Sequence, residues 1–466
     1  MTEPLDLRTL RSVHVVGAGG AGMSAIATIL AGMGKRVTGS DLKDSAALRR
    51  LTALGVEVHV GHGADALGDV DAVAISTAIP DTNPEVVAAH ARGIPVLRRA
   101  DVLSAICRQR RTVAVAGTHG KTTTSSMLAL ILVEAGMRPS FLVGGNLNEV
   151  GGGAVWEVDH PEAPFVVEAD ESDGTFVELG AEAVIVTNLE PDHLDFWGSF
   201  DALVAAFQRF VGEATGPKVI SADEPTAAAL AHAGGGMTFG TSEDADWRLL
   251  RPVGGRSSTT FAVGRGGIEV AQIVLAAPGL HNARNALAAL AMATELGAPI
   301  EAGVRALGRY AGVARRWQFR GEHAGISFVD DYAHLPSEVA AAVATAQDGG
   351  WERVVVVFQP HRFSRIAALW STFADSFSGA DLVVVTEIDA YLERPRPGVT
   401  GRLVVDAVLG AHPEARIEWV PARRDLIAYL AENLRPGDLC LTLGAGDLTS
   451  LPDEVLDVLG GGRDSS

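Results

Sequence analysis

Twice the chain runs a short apolar stretch into a glycine-rich turn and then into a helical stretch. The first instance is Val13-His14-Val15-Val16, then Gly17-Ala18-Gly19-Gly20-Ala21-Gly22, then Met23 to Ala31. The second is Thr112 to Ala116, then Gly117-Thr118-His119-Gly120-Lys121-Thr122, then Thr123 to Ala135. A strand too short and too apolar to face water on one side must be buried on both, which requires a parallel sheet covered by helices. Glycine at each crossing lets the backbone turn sharply and approach a ligand closely. These two segments therefore exclude an all-helical bundle and an all-antiparallel fold.

The same alternation recurs along the rest of the chain. Arg36 to Ser40, Val56 to Val60 and Ala72 to Ser76 read as further strands of a first block. Phe165 to Glu168 and Ala183 to Thr187 belong to a second, which holds a Gly- and Ser-rich region, Gly234 to Gly267, read as antiparallel hairpins, and closes on a helix Asn282 to Leu296. Ile326 to Asp330, Arg353 to Phe358, Leu382 to Thr386 and Leu439 to Leu443 form a third. At 466 residues the chain is too long for one core. The reading is α/β with three domains: a Rossmann-like N-terminal domain over 1–110, a P-loop ATPase-like central domain over 111–313, and a Rossmann-like C-terminal domain over 314–466. The polar boundary at Arg108 to Arg111 and the Arg315-Arg316-Trp317 segment mark the joins. A polar Gly-rich tail, Gly460 to Ser466, is expected to fray.

Net charge is 38 − 57 = −19. So acidic a chain offers no basic field for nucleic acid or an anionic membrane, although a local cluster of Arg, Lys and backbone N–H groups could still hold an anionic ligand. The two cysteines, Cys107 and Cys440, show no metal-ligand spacing, which suits a reduced cytosol better than a disulfide framework. Met1 to Arg11 is polar and unlike a signal peptide, and the apolar run Met127 to Val133 is too short to cross a bilayer.

Each chemical motif follows a strand end, where open α/β sheets collect ligands. The turn Gly17 to Gly22, with Asp41 at the end of the next strand, makes a hole shaped for a diphosphate. NAD and a UDP-sugar fit it equally, as would a tight turn with no ligand. Gly117 to Thr122 is a shortened phosphate loop: the strict pattern wants Gly where this chain has Val115. Backbone N–H groups there wrap phosphate oxygens, Lys121 reaches the β- and γ-phosphates, and the Thr122 hydroxyl can ligate Mg²⁺. A lysine at a glycine turn has no packing purpose, so this loop argues for ATP. Glu168-Ala169-Asp170-Glu171-Ser172-Asp173 would ordinarily be a solvated acidic loop, but after a strand of a P-loop domain it is placed to reach the metal. Pro191-Asp192-His193-Leu194-Asp195 could add an imidazole from the next strand. Asp330-Asp331-Tyr332-Ala333-His334 and Phe358-Gln359-Pro360-His361-Arg362-Phe363-Ser364-Arg365 repeat the placement in the third block. The arginine pair suits a carboxylate or phosphate through forked hydrogen bonds, or is simply a solvated helix face. A nicotinamide dehydrogenase leaves the second glycine turn unexplained, and a P-loop switch protein has no use for the third-block His/Arg cluster.

Taken together these motifs resemble the Mur ligases, from Val13 to about Thr449. The nucleotide-sugar loop of that family is matched by Gly17 to Gly22, its ATP loop by Ala116 to Thr124, its acidic metal motif by Glu168 to Asp173, and its Asn-x-Glu-x-Asp-His motif by Asn188 to His193. His281-Asn282 with Asn285 resembles the adenine-side helix, and Arg315-Arg316 the domain-joining arginines. Gln359 to Arg365 points to the alanine-adding branch over a sister that adds a tripeptide to the same sugar. Leu335 stands where the family has a second histidine, Glu387 to Tyr391 departs from the usual sequence, and no lysine lies between Lys121 and Lys218 to be carbamoylated.

The resemblance implies a cytoplasmic, monomeric or homodimeric enzyme of peptidoglycan precursor synthesis. Its partners would be UDP-N-acetylmuramate, L-alanine and ATP, with Mg²⁺ as cofactor and an acyl phosphate as intermediate. Lys121, His193, His334 and Arg365 would be catalytic. ATP would lie on Gly117, Thr118, His119, Gly120, Lys121, Thr122 and Thr123, with Asn282, Asn285, Arg316 and Asp331. The sugar nucleotide would meet Gly17, Gly19, Gly20, Gly22, Asp41 and Ser76, and the amino acid Tyr332, His334, His361, Arg362 and Arg365. Thr122, Glu171 and His193 would hold Mg²⁺, and which basic group deprotonates the amine stays open.

Overall fold

The computed structural model describes residues 5–147, 152–391 and 393–461, so the last five residues of the tail expected to fray lie outside it. The chain divides into two compact units. One comprises Met1–Leu250, Val263–Ala271 and Arg284–Leu307, and the other Arg251–Ala262, Gln272–Ala283 and Gly308–Ser466. Among the described residues three sheets underlie them, in keeping with the α/β class expected, and the first unit contains the first sheet and most of the second.

The first sheet has five parallel strands in the order Glu57–Val60, Arg36–Asp41, Ser12–Val16, Ala72–Ile75, Val96–Arg98. The order reverses between Ser12–Val16 and Ala72–Ile75, and a crevice opens where successive crossovers leave on opposite faces. The Gly17 turn lies at that point. Val13, Val15 and Val16 are buried, as is helix Ala21–Gly32 along Met23, Ile26, Ile29 and Leu30, which explains why the strand carries no polar alternation.

The second sheet has ten strands. Its central part runs Ser140–Leu147, Phe165–Glu168, Thr112–Ala116, Ala183–Val186, Lys218–Ser221, Met237–Gly240, all parallel. Thr112–Ala116 is thus flanked by the two strands that carry the acidic and histidine motifs, and all three release their chains at one edge. The first part of the Gly234 to Gly267 region departs from the hairpins expected there. Met237–Gly240 pairs parallel with Lys218–Ser221, and Phe239 then pairs parallel with Trp247. The reason is the helix Pro225–Gly234, ended by Gly235 in the left-handed region (φ 66°), which makes this a crossover and returns the strand in the same direction. Beyond it, Trp247–Gly254, Thr259–Arg265 and Ile268–Leu275 are successive neighbours in the sheet, and the last two are joined by a two-residue turn, Gly266-Gly267, with φ of 57° and 80°.

In the second unit six strands lie in the order Gln318–His323, Ile326–Asp331, Asp438–Leu443, Arg353–Phe358, Leu382–Val385, Ile417–Trp419. All neighbours are parallel except the first pair. The central run Val355 to Phe358 is wholly buried between helices on both faces. Cys107 and Cys440 are free and buried, and burial pushes each thiol up to about 12. Among the described residues no helix is long and apolar enough to cross a membrane.

Candidate active site

The Gly17 turn is shaped by the neighbouring strand. The N–H groups of Gly17 and Ala18 both donate to the Ser40 carbonyl at 2.9 Å, and the N–H of Gly19 donates to Asp41 Oδ2 at 2.9 Å. A Cβ on Gly19 would lie 2.8 Å from that oxygen, so only glycine lets the carboxylate come so close. Ser40 is itself anchored: its hydroxyl donates to the buried Glu85 Oε2 at 2.6 Å. Helix Ala21–Gly32 begins at Gly20 with no side-chain cap. Unsatisfied N–H groups at such an end favour an anion. Ser76 follows the end of the strand across the crevice, half-buried. From Gly22 an open cleft of ≈ 820 Å³ extends past Arg99 and Gly144 to Glu168 and Asp170.

The second turn is braced by the strand that follows the acidic motif. His119 N–H donates to Asn188 Oδ1 at 2.8 Å while Asn188 Nδ2 donates back to the His119 carbonyl at 3.0 Å. Thr118 Oγ1 donates to the Glu190 carbonyl at 3.1 Å and accepts from the Glu190 N–H at 2.9 Å. Gly117 (φ 134°) leaves no room for a Cβ, which would sit 2.1 Å from Thr187 Oγ1, and at Gly120 it would sit 2.5 Å from Asn285 Oδ1. Asn285 thus lies against the loop. Asn282 donates to the Pro278 carbonyl at 2.7 Å. Helix Lys121–Glu134 starts two residues earlier than its apolar pattern suggests, which puts Lys121, Thr122 and Thr123 in its first turn.

Lys121 Nζ donates to the carbonyls of Gly117 (2.8 Å) and Thr118 (3.2 Å) and to both oxygens of Glu171 (2.7 and 3.0 Å). Burial opposes its charge, but Glu171, Asp170 and Glu168 outweigh that and hold its pKa above the ordinary lysine value. Burial, helped by Asp170, pushes the Glu171 carboxyl up to about 7 against the pull of Lys121. Ligand atoms of Glu171, Asp192 and His193 lie within 4.8 Å of one another. Two carboxylates and an imidazole fit a small divalent cation. His193 is held in the left-handed region (φ 51°), a conformation that costs a non-glycine residue energy and clusters at functional sites. Of the expected metal set, the structure brings Glu171 and His193 together. The Thr122 hydroxyl donates to Glu168 Oε1 at 3.0 Å, which leaves its oxygen lone pairs open to a cation, and the other Glu168 oxygen takes the Gly144 N–H at 2.7 Å. Asp192 was not singled out from the sequence, although it adjoins His193 in the motif. Nor were Asn188 and Glu190 seen as braces of the loop.

In the second unit the ends of Ile326–Asp331, Arg353–Phe358 and Leu382–Val385 bring the expected residues into one cluster. The rings of Tyr332 and His334 lie 5.3 Å apart, those of His334 and His361 5.6 Å, and those of His361 and Tyr391 5.8 Å. The guanidinium groups of Arg315 and Arg316 flank the Tyr332 ring at 4.9 and 5.1 Å, and Arg362 covers Tyr391 at 4.9 Å. Arg365 Nη1 donates to His361 Nδ1 at 3.1 Å. Arg315, Arg362 and Tyr391 all adopt positive φ, so the cluster stores backbone strain. Asp331 is committed to the backbone: its oxygens accept the N–H groups of Trp317 (2.7 Å) and Ala333 (2.9 Å), and burial raises its pKa to about 6 despite Arg316. Gln359 likewise faces inward, bonded to Asp447 and the Leu448 N–H.

Comparison with known proteins agrees with this arrangement. Family models for the Mur ligase family catalytic domain, the Mur ligase middle domain and the Mur ligase glutamate ligase domain match residues 12–111, 115–293 and 315–446. A relative from Kineococcus radiotolerans, named UDP-N-acetylmuramate–L-alanine ligase, is 46% identical over 97% of this chain and 96% of its own. One of the same name from Thermobifida fusca is 41% identical over 98% and 99%. Among solved structures, the UDP-N-acetylmuramate–alanine ligase of Thermotoga maritima superposes with a TM-score of 0.81 at 29% identity, covering 97% of this chain and 100% of that one. The murein peptide ligase of Psychrobacter arcticus gives 0.68 at 25% identity, covering 97% and 99%.

Proposed function

Because the chain belongs to the Mur ligase family, we propose that it joins L-alanine to the lactyl carboxylate of UDP-N-acetylmuramate, using ATP through an acyl phosphate and releasing ADP and phosphate. The observation that carries this reading is the cleft that leads from Gly22 of the first glycine turn to Glu168 and Asp170 beside Lys121. A sugar nucleotide anchored by its diphosphate on the first turn would extend its carboxylate along that cleft toward the phosphates held by the second.

A carboxylate resists attack by an amine until one of its oxygens becomes a leaving group. Here a carboxylate oxygen attacks the γ-phosphorus of ATP, and the bond from that phosphorus to ADP breaks. Lys121, in the first helical turn and already charged, stabilises the oxygens of the transferring group. Glu171, Asp192 and His193 would hold Mg²⁺, which neutralises phosphate charge. The loop's backbone is braced before ATP arrives by Asn188 and Glu190, so little ordering is required on binding. For the amino acid, Arg362 and Arg365 are suited to its carboxylate, with His334 and His361 beside them. Two buried free thiols suit a reducing cytoplasm.

The test is phosphate release from ATP and UDP-N-acetylmuramate with each of a panel of amino acids, together with a tripeptide acceptor. L-Alanine should give the highest turnover, with Gly and L-Ser behind. Release that is indifferent to the amino acid, or best with the tripeptide, overturns the reading.

A further inference from the structure

We infer that Glu85 is a positioning residue of the sugar-nucleotide site: its buried carboxylate fixes Ser40, and the Ser40 carbonyl in turn sets the shape of the turn Gly17 to Gly22. The inference rests on the sugar nucleotide proposed above as the occupant of that turn, and every residue it invokes lies in the first unit.

His14, Thr38 and Ser40 share one face of the first sheet. His14 and Thr38 stand opposite each other on neighbouring strands, and Ser40 is two residues further on. The layer against that face is otherwise apolar, built from Val16, Leu67, Val70, Val73 and Ala89. Into it helix Pro84–Ala91 sends Glu85, wholly buried in its first turn.

The carboxylate is surrounded by hydrogens. Glu85 Oε1 accepts the Gly63 N–H at 3.2 Å, and a backbone N–H can only donate. Oε2 takes the Ser40 hydroxyl at 2.6 Å and lies 3.2 Å from His62 Nδ1. That nitrogen is also 3.0 Å from Ser40 Oγ, so a single imidazole hydrogen bridges the two oxygens. His14 Nε2 points at the same carboxylate oxygen from 3.6 Å, while its Nδ1 meets Thr38 Oγ1 at 2.7 Å. Burial alone would raise the pKa of Glu85, but His14, Ser40 and the Gly63 N–H outweigh it and hold the group below the ordinary glutamate value. It is an anion at neutral pH.

Ser40 is therefore gripped from behind by its side chain. Its carbonyl, on the other side, accepts the N–H groups of both Gly17 and Ala18, and the next residue, Asp41, takes the N–H of Gly19. Two consecutive residues thus present every pin of the turn, and the N–H groups left for an anion are those that follow, at the uncapped start of helix Ala21–Gly32. A buried charge is a poor way to gain stability, because apolar residues of similar volume would pack against Val16 and Val73 as well. What a carboxylate can do, and they cannot, is hold the Ser40 hydroxyl in one orientation.

The experiment measures by calorimetry the affinity of the full chain for UDP-N-acetylmuramate, and separately for a non-hydrolysable ATP analogue, in Glu85→Gln, Ser40→Ala and the double variant, with steady-state kinetics alongside. Glu85→Gln keeps the shape of the side chain and Ser40→Ala keeps the carboxylate, so if one fails to fold the other still decides. Each single substitution should weaken sugar-nucleotide binding about 10-fold and raise its KM by as much, with kcat within about two-fold and the ATP analogue bound as before. Both act through one tether, so the double variant should bind no more weakly than the worse single one. A lowered melting temperature with sugar affinity unmoved makes Glu85 merely structural and overturns the inference. So do additive losses in the double variant, or equal losses for the ATP analogue. An unmodified protein that does not bind UDP-N-acetylmuramate refutes the ligation reading itself, whereas one that binds it regardless of both substitutions refutes only the positioning role.

Discussion

The two glycine turns of the first unit share a plan and differ in what surrounds it. Each follows a buried parallel strand, each enters a helix without a side-chain cap, and each is pinned by the strand beside it. At Gly17 to Gly22 the pins are a carbonyl, from Ser40, and the Asp41 carboxylate, and the turn bears no cation of its own. At Gly117 to Thr122 the pins are Asn188, Glu190 and Thr187, and Lys121 adds a buried ammonium set against Glu171. A turn without a charge can hold a diphosphate and leave it intact. A turn with a lysine and a cluster of acids can hold a phosphate and stabilise its transfer. The fold supplies the seat in both cases, and a few side chains decide between binding and chemistry.

Five substitutions bear on that division. Lys121→Ala should reduce alanine-dependent phosphate release by at least about 10³-fold, while calorimetry shows UDP-N-acetylmuramate bound as before. A parallel loss of sugar affinity would mean the turns are not separate sites. Next in size is the contrast between Gly117→Ala and Gly17→Ala. The first places a Cβ 2.1 Å from Thr187 Oγ1 and should cost about 3 kcal/mol, whereas the second meets only the tip of Ile79 at 3.3 Å and should cost about 1 kcal/mol, chiefly from its φ of 76°. Equal shifts in melting temperature would contradict the tighter packing of the ATP loop. Asp192→Asn should raise the half-saturating Mg²⁺ concentration about 10-fold in the turnover assay and leave sugar binding alone. The smallest effect is expected of Asp41→Asn, which keeps the shape but weakens one charge-assisted bond to Gly19. KM for the sugar nucleotide should rise about 3-fold with KM for ATP unmoved, and the opposite pattern would exchange the two assignments.

The strands themselves and the placement of motifs at their ends were legible because they depend on local pattern: apolar runs, glycine turns and helical periodicity. What escaped depends on pairings far apart in sequence. Thr118 and Glu190 are 72 residues apart, and nothing in either neighbourhood announces their double hydrogen bond. Thr122 reads as a metal ligand by its place after Lys121, but nothing near it in the sequence announces the hydrogen bond its hydroxyl donates to Glu168 from the adjoining strand. Asp192 does not stand out because a lone acid beside a histidine has no distinctive spacing, and the left-handed backbone of His193 has no residue signature. Met237–Gly240 was misread because glycine and serine suggest hairpins, whereas the alanine-rich helix before it enforced a crossover. The edge strand Gln318–His323 is largely polar, with Phe319 exposed and a bulge near Gly321, and shows no clean alternation.

Both native thiols lie inside cores, one in each unit, and are held as thiols far above neutral pH. Alkylating dyes react with the thiolate, so neither position should take up label while the protein stays folded. The natural chain is therefore its own cysteine-light background: a pair of surface cysteines, one on each unit, would be the only sites to accept fluorophores, and the distance between the units could be followed through turnover without altering Cys107 or Cys440.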